Sequence, residues 1–411
     1  MPTAVGTQAI APTATRSHLR WIVVVAVAAR VLLTAFYFRS NHVLAPGGLG
    51  YENVSIALAL LAGRGFSSPF FFPSGPTAFM PPGYPVLIAG FMRVLGTGIA
   101  ATIGLTAFQI LLSVVTVVVV QKAARRYLGM RTGNLAGLFC ALAEPFLIAP
   151  LYIWDTCLSA LILVAAIAVA PDIRRRRDFA LAGLGCAIAV LINSALLFPL
   201  LGIIAWAAWR ARTTPWLAFL VFAIAFSPWP IRNFATMHAF IPLRSNLGYE
   251  LWHGNPGSDG ETPAFSTPGV NAREHSLYVS EGEVGYMREK GSLAKAWIAM
   301  HPAEFARLTG RRFIRFWTGS SRSPAPMTAS LSVAAFIGLA LLWRSRPLFV
   351  LFAIPLALFP LPYYITHPDV RFQFVIDPLL AILAGYACES FFAWCARRPA
   401  PSPELASDAG N

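Results

Sequence analysis

The chain has 411 residues, of which 56% are hydrophobic and only 12% are charged. A soluble domain carries roughly 25% charged residues, so the composition excludes an ordinary soluble enzyme and indicates a membrane protein. The net charge is +14, but the basic residues fall in short clusters between apolar runs. That distribution is typical of cytoplasmic loops, and we therefore expect membrane lipids around the chain and no nucleic-acid partner.

Apolar runs long enough to cross a bilayer begin near the N-terminus. The first run, 21–38, follows Arg16 and Arg20 and is too long for the core of a cleaved signal peptide, so we predict a retained span. Ten spans fit the whole chain best. The pair within 179–210 is open to interpretation as one kinked helix, because polar residues and Pro199 interrupt it. The predicted spans are 21–38, 100–121, 133–151, 155–171, 179–194, 195–210, 214–230, 327–343, 347–362 and 373–395.

The basic clusters also predict an orientation in the bacterial inner membrane. With the N-terminus on the cytoplasmic side, every strong Arg/Lys cluster falls on that side as well. Two long segments then lie outside. The predicted regions are a cytoplasmic N-terminus at 1–20, an N-terminal transmembrane module at 21–230 that includes the first outer loop 39–99, a periplasmic insert at 231–326, C-terminal transmembrane helices at 327–395 and a cytoplasmic disordered tail at 396–411.

The two outer segments contain predicted helices of their own. Apolar residues recur at helical spacing between Tyr51 and Leu61, which predicts a helix there. The stretch 81–95 is apolar but short, so we expect it to lie at the interface or to re-enter the membrane. In the insert we predict a loop over 253–275 and helices over 281–300 and 302–317.

Several kinds of site are disfavoured by the sequence. The five cysteines lie in or beside apolar runs and form no CxxC pair, so neither a disulfide framework nor a zinc site is expected. No P-loop, GxSxG, HExxH or dinucleotide fingerprint occurs. These absences argue against ATP-driven transport, hydrolase-type nucleophilic catalysis and nicotinamide chemistry.

Acidic residues are few, and two of them stand near membrane level on the predicted outer face. Glu52 begins the 51–61 helix, and Asp155 begins the fourth span. Because ionisable groups are costly at this depth, a functional role is the first hypothesis; for Glu52 the alternative is a favourable charge at a helix N-terminus. A carboxylate here can take a proton from an incoming hydroxyl or amine while a phosphate leaves the opposite face of a sugar, a contribution of roughly 10²–10⁴-fold.

Outer arginines supply cations for such a leaving phosphate, because the guanidinium fork meets phosphate oxygens in pairs. The candidates are Arg232, directly after the seventh span, Arg244 in the insert, and Arg371, which has His367 close by. Each arginine also fits a side chain that snorkels to lipid headgroups. Tyr84 is a further candidate for substrate binding, although an interfacial aromatic residue is an equal interpretation.

A set of motifs in chain order resembles membrane glycosyltransferases of the GT-C type. The group is similar to glycosyltransferase family 39 and contains the protein O-mannosyltransferases and the lipid A aminoarabinose transferase. Together the motifs follow the order of elements from about residue 20 to residue 395. They are GYENVSIALALLAGRGFSSPF (50–70), GPTAFMPPGYPVLIAGFMRVLG (75–96), WDTCLSALIL (154–163), PWPIRNF (228–234), IPLRSNLGYELWHGNPG (241–257), HPAEFARLTGRRFIRFW (301–317) and HPDVRFQFVIDPLL (367–380).

The resemblance implies an all-α polytopic membrane protein with the GT-C fold, about ten transmembrane helices, juxtamembrane helices in the first outer loop and a small periplasmic insert. It implies a polyprenyl-phosphate-linked monosaccharide donor, a lipid, glycan or protein acceptor, and inversion at the anomeric carbon. Glu52 would be the catalytic base. The substrate-binding candidates are Asp155, Tyr84, Arg232, Arg244, Asn246, His367 and Arg371.

Two features qualify the resemblance. Many relatives carry Asp where Glu52 stands, and many carry a second acid deeper in the loop, whereas residues 64–80 contain no Asp or Glu. We therefore predict no obligatory metal and no cofactor. A transporter or flippase for a lipid-linked glycan is the alternative function, and it would not need Glu52 as a base; a non-catalytic scaffold is a third.

Overall fold

The computed structural model describes residues 17–41, 51–259, 267–319 and 326–396. Within these ranges the chain is helical with no β-strand, and Ser67 and Pro76 form an isolated antiparallel bridge. Most of the predicted cytoplasmic N-terminus and the predicted disordered tail lie outside the described residues. The first eleven helices are α1 (Leu19–Asn41), α2 (Tyr51–Leu61), α3 (Gly83–Leu95), α4 (Ile99–Leu128), α5 (Met130–Leu142), α6 (Glu144–Ile148), α7 (Thr156–Val169), α8 (Arg176–Ile192), α9 (Leu197–Ala211), α10 (Trp216–Phe226) and α11 (Pro228–Met237).

The second part of the chain begins with the insert and ends with further apolar helices. The predicted helix 302–317 is confirmed, and the predicted helix 281–300 is the second part of a longer one. The helices are α12 (Leu247–Gly254), α13 (Ala272–Met300), α14 (Pro302–Thr318), α15 (Pro326–Leu341), α16 (Arg346–Leu358), α17 (Leu361–Ile365), α18 (Val370–Gln373) and α19 (Asp377–Ala396).

The chain is a multi-pass membrane protein. Seven of the described helical segments are long and apolar enough to cross a membrane, or eight if a bent pair counts as one span. The bent pair joins α5 to Glu144–Leu151 at an angle of 53°. The all-helical polytopic architecture predicted from sequence is confirmed. The predicted count of ten is higher because it includes α7 and α8, which have only 14 and 17 residues.

The stretch 179–210 is two helices rather than one kinked helix. α8 ends at Ile192, and Asn193 adopts an extended conformation with φ −142°. Its side-chain oxygen accepts a hydrogen bond from the backbone of Ala195 at 2.9 Å. Its amide nitrogen donates to Asp155, before α7, at 2.7 Å. The break between α8 and α9 therefore places the Asn193 side chain where it links the end of α8 to the start of α7.

Glycines allow the apolar helices to approach each other closely. A Cβ atom added at Gly183 in α8 would collide with the carbonyl oxygen of Ala218 in α10. At Gly338 in α15 it would collide with the carbonyl oxygen of Leu383 in α19. In lipid, where apolar burial does not drive helix association, such close packing is a main source of stability.

Two clusters connect α2 and α3 to the rest of the chain. α2 and α3 pack on α4 through an apolar cluster that includes Val54, Ile88 and Leu105. The opposite side of α2 meets the insert in a second, largely aromatic cluster. This aromatic cluster consists of Ile56, Phe70, Phe79, Met80, Tyr249, Tyr278, Tyr286 and Met287. This cluster therefore joins the predicted first outer loop to the predicted insert, and the two together are called the outer layer.

A buried arginine in the insert satisfies backbone carbonyls at two helix ends. Arg312 in α14 is fully buried, and it donates hydrogen bonds to the carbonyl oxygens of Gly254 and Ile365 and to the side chain of Asn255. Burial lowers the pKa of Arg312 to about 10, so the group stays charged at neutral pH. Helix C-termini leave carbonyl groups without partners, and a cation is favourable there.

We expect Arg312→Met to destabilise the protein. The substitution leaves several buried acceptors without donors, and the cost is about 3 kcal/mol in the free energy of unfolding. The thermal midpoint in detergent measures the effect. Arg311→Met removes an exposed neighbour and should change the midpoint little; equal midpoints for the two variants would contradict the assigned role.

Candidate functional site

Glu52 lies in the first turn of α2. The residue is half-buried, and its Oε2 atom is buried with no hydrogen-bond partner among the described residues. Burial raises the pKa of Glu52, the charge of Glu250 also raises it, and the guanidinium groups of Arg244 and Arg371 lower it. A carboxylate with an unpaired oxygen and a raised pKa is suited to accept a proton.

Arg371 reaches the site from α18. Its Nε and Nη2 atoms donate to the two carboxylate oxygens of Asp369 at 2.9 and 2.8 Å. The guanidinium group lies over the rings of Trp154 and Tyr152, 4.6 and 5.9 Å from their centroids. Burial alone would lower the pKa of Arg371, but Asp369 and the charge of Glu52 raise it above its ordinary value. Arg371 is thus a cation held in place by Asp369 and two aromatic rings, and its charge is coupled to that of Glu52.

Arg244 lies on the segment that precedes α12. Its Nε atom donates to the carbonyl oxygen of Phe79 at 2.8 Å, and its guanidinium carbon lies 6.0 Å from the Phe79 ring centroid. Its charge acts on both Glu52 and Asp155. The Asp155 Oδ2 atom in turn accepts the hydrogen bond from Asn193. The charge of Arg244 is therefore coupled to two acidic groups, one in α2 and one just before α7.

A chain of polar contacts runs along α12 next to this group. Asn246 is buried and donates through Nδ2 to Glu250 Oε1 at 2.7 Å. The second oxygen of Glu250 lies 3.5 Å from His367 Nδ1. The His367 ring also meets the His253 ring edge to face at 6.0 Å. Burial lowers the pKa of His253 to about 4, so this histidine is neutral at physiological pH.

Tyr84 and Arg232 occupy more enclosed positions. Tyr84 is 1% exposed and belongs to the apolar cluster between α2 and α4. Arg232 in α11 donates to the carbonyl oxygens of Thr77 at 2.7 Å and Phe66 at 2.6 Å. Arg232 thus holds the first outer loop against α11.

The predicted site residues therefore divide into two groups. The residues of the first group are linked by charge or hydrogen bonds around the start of α2. The second group is Tyr84, which packs in an apolar cluster, and Arg232, which anchors the first outer loop. For both groups, a role in substrate binding stays a prediction. The linked residues are Glu52, Asp155, Arg244, Asn246, His367 and Arg371.

Sequence reasoning missed three acidic residues that shape the site. Glu250 is four residues after Asn246, and this helical spacing indicates that the two side chains can interact. Asp369 is two residues before Arg371 in the same motif. No sequence pattern indicates the role of Glu283, because most of its hydrogen-bond partners come from distant parts of the chain.

Glu283 is 3% exposed and accepts four hydrogen bonds. Its Oε1 atom accepts from the backbone of Ala78 at 2.7 Å and from Ser245 at 2.7 Å. Its Oε2 atom accepts from Thr77 and from Tyr278. This carboxylate thereby fixes the first outer loop to the residue that follows Arg244.

The described residues contain no group of three or more His, Cys, Asp or Glu side chains arranged to hold a metal ion. That no metal is required for activity remains a prediction.

The sequence matches no protein-family model, and the comparison with curated proteins found no match. Solved structures do share its fold. The oligosaccharyltransferase of Archaeoglobus fulgidus in complex with Zn and sulfate is 14% identical, with a TM-score of 0.52 over 91% of this chain and 49% of that one. The same enzyme tethered to an acceptor peptide is 13% identical, with a TM-score of 0.50 over 92% of this chain and 50% of that one.

ArnT from Cupriavidus metallidurans bound to undecaprenyl phosphate is 14% identical, with a TM-score of 0.43 over 94% of this chain and 82% of that one. The chain spans about half the length of the oligosaccharyltransferase. The GT-C fold that the sequence resemblance implied is confirmed.

Proposed function

We propose that this protein is a glycosyltransferase that moves a monosaccharide from a polyprenyl-phosphate donor to a lipid, glycan or protein acceptor. The observation that carries the proposal is the Glu52 carboxylate: one of its oxygens has no hydrogen-bond partner among the described residues, and the charges of Arg244 and Arg371 act on it. A base within the field of two cations fits a reaction in which a nucleophile loses a proton and a phosphate departs. The oligosaccharyltransferase of Archaeoglobus fulgidus, which shares the fold, is described as tethered to an acceptor peptide.

In this proposal Glu52 removes the proton from the acceptor hydroxyl or amine as that group attacks the anomeric carbon. The bond from the sugar to the phosphate oxygen breaks on the opposite face, so the configuration inverts. Burial raises the pKa of Glu52, and a base whose pKa is closer to the working pH is more effective. The proton ends on Glu52 and the negative charge on the polyprenyl phosphate.

Arg244 and Arg371 would hold the departing phosphate. The Nε atom of Arg244 donates a hydrogen bond to the carbonyl oxygen of Phe79, and its Nη2 atom donates to the Met80 sulfur. Its Nη1 atom has no hydrogen-bond partner among the described residues. Arg371 exchanges part of its contact with Asp369 for the phosphate while the rings of Tyr152 and Trp154 keep it in place. Charge-assisted pairs of this kind are short and about twice as strong as neutral hydrogen bonds.

We place the site on the outer face of the bacterial inner membrane, with the N-terminus in the cytoplasm. Arg125 and Arg126 lie in the last turn of α4, and Arg210 lies in the last turn of α9. Basic residues favour the cytoplasmic side. The outer helices α2 and α3 precede the opposite end of α4, so they face outward in this orientation.

The proposal is tested by incubating the purified protein in lipid nanodiscs with a panel of polyprenyl-phosphate sugars and candidate acceptors. We expect release of free polyprenyl phosphate with one donor, together with a glycosylated acceptor. Movement of an intact lipid-linked sugar across proteoliposomes with no release would instead favour a flippase and overturn the proposal.

We expect Arg371→Lys to weaken the use of the donor. A lysine keeps the charge but cannot bind a phosphate or Asp369 in a forked geometry. Losing one charge-assisted hydrogen bond corresponds to about a 10-fold or larger loss in kcat/KM for the donor. Steady-state release of polyprenyl phosphate measures it, with the exposed Arg288→Lys as the matched control. Equal donor kinetics in both variants would argue against a phosphate at Arg371.

A further inference from the structure

Phe71 in the first outer loop has a backbone conformation that a bulky residue rarely adopts. Its φ is +61°, in the left-handed region, and Ser68 nearby has φ +59°. Glycine reaches this region freely, whereas a phenylalanine there is strained. Strain of this kind persists where the surroundings impose it, and it concentrates at functional sites.

A side chain in α2 imposes the conformation. The Ser55 hydroxyl donates to the carbonyl oxygen of Ser68 at 2.6 Å and accepts from the backbone NH of Phe71 at 2.7 Å. Ser55 is three residues after Glu52, on the same face of α2. The helix that carries the proposed base therefore also fixes the strained loop.

The strain turns one aromatic ring outward from a group of three. Phe70 is 2% exposed in the aromatic cluster, and the Phe72 ring packs against that cluster and against His275. Phe71, between them, is 44% exposed. Its ring meets Tyr51 edge to face, with centroids 4.9 Å apart and an angle of 75°.

The outward ring contacts the residue that immediately precedes the proposed base. Tyr51 immediately precedes Glu52, and the Glu52 charge helps to raise the pKa of Tyr51, after burial. Tyr51 also borders the backbone of Gly269 from the insert, where an added Cβ would meet the tyrosine hydroxyl. An exposed aromatic ring thus contacts a phenol, and the next residue in the chain carries the carboxylate of the proposed base.

We propose that Phe71 and Tyr51 form an aromatic platform that binds the acceptor, and that the acceptor is a carbohydrate. A sugar ring has one face of C–H groups, which packs on an aromatic ring by dispersion, and hydroxyl groups at its edge, one of which would reach Glu52. A bare apolar anchor for lipid chains would need neither the imposed conformation nor the neighbouring phenol. The proposal rests on the proposed function, since it names the acceptor for that site.

The test uses the full-length protein in nanodiscs and the methyl glycosides of glucose, galactose, mannose and arabinose as probes. Binding is measured by saturation-transfer NMR titration. We expect the wild type to bind at least one probe, Phe71→Gly and Phe71→Leu to bind it at least 10-fold more weakly, and Phe71→Trp to retain it. The control is Phe240→Leu, at another exposed phenylalanine, which should bind like the wild type.

The same variants separate binding from folding. Glycine relieves the strain at position 71, so Phe71→Gly should keep or raise the thermal midpoint while binding is lost. A wild type that binds no probe, or a Phe71→Leu variant that binds as well as the wild type, overturns the platform. If Phe71→Gly loses both stability and binding and Phe71→Trp restores neither, the ring is structural and the platform is again overturned.

The outcomes also distinguish this inference from the proposed function. Release of polyprenyl phosphate is assayed on the wild type in parallel. Release without probe binding rejects the platform and leaves the transferase, whereas probe binding that depends on Phe71 without release from any donor rejects the transferase and leaves a carbohydrate site.

Discussion

Glu52→Gln should lower the rate of sugar transfer by roughly 10²–10⁴-fold, the range that a positioned general base contributes. Glutamine keeps the size of the side chain but cannot accept the proton from the acceptor. Folding should be unaffected, because the Oε2 atom has no hydrogen-bond partner among the described residues that would be lost. The measurement is kcat for polyprenyl phosphate release at saturating donor and acceptor, with the thermal midpoint recorded beside it.

The dependence of the transfer rate on pH tests the role of Glu52 a second time. Burial raises the pKa of Glu52 above its ordinary value, and only the deprotonated form acts as a base. In the wild type, transfer should therefore fall as the pH drops through this raised pKa, and Glu52→Gln should lack that acidic limb. Glu304→Gln, on the surface of α14, is the control; a Glu52→Gln variant with full activity at all pH values would remove Glu52 from the mechanism.

Glu283→Ala should produce the largest loss of stability in the outer layer. The change leaves four donors without their acceptor, two from the first outer loop, one beside Arg244 and one from α13. Buried unsatisfied groups cost about 1–3 kcal/mol each but are not additive, so we expect about 3–5 kcal/mol overall. Thermal unfolding and the rate of limited proteolysis in the insert measure the effect.

Two further variants make the interpretation specific. Glu281→Ala removes an exposed carboxylate two residues away and should leave stability unchanged. Glu283→Gln keeps one acceptor oxygen and should restore part of the stability. If Glu283→Ala unfolds at the same temperature as Glu281→Ala, the four contacts do not hold the outer layer together.

The local parts of the structure were accessible from sequence. The helix from Tyr51 to Leu61 was predicted with its observed bounds because apolar residues repeat at helical spacing and Gly63 follows. The multi-spanning architecture followed from the length of the apolar runs. The number of spans is harder to predict from sequence, because α7 and α8 are apolar but short. Apolar composition alone does not distinguish a full transmembrane span from a shorter buried helix.

The long-range part of the site was not accessible in the same way. Glu283 meets Ala78 across a sequence separation of 205 residues, and no periodicity or spacing encodes such a contact. Tyr84 was chosen for its motif, but its burial against α4 depends on how α3 packs. By contrast, the cost of ionisable groups near membrane level points to Glu52 and Asp155, and this argument does not require knowledge of the tertiary contacts.

The most direct test of the account is the anomeric configuration of the transferred sugar. One base that activates the acceptor, opposite a phosphate held by arginines, leads to a single displacement. Proton NMR of the product should therefore show the configuration opposite to that in the polyprenyl-phosphate donor. Retention of the donor configuration would mean either two successive displacements or attack on the face from which the phosphate departs, and it would contradict the role assigned to Glu52.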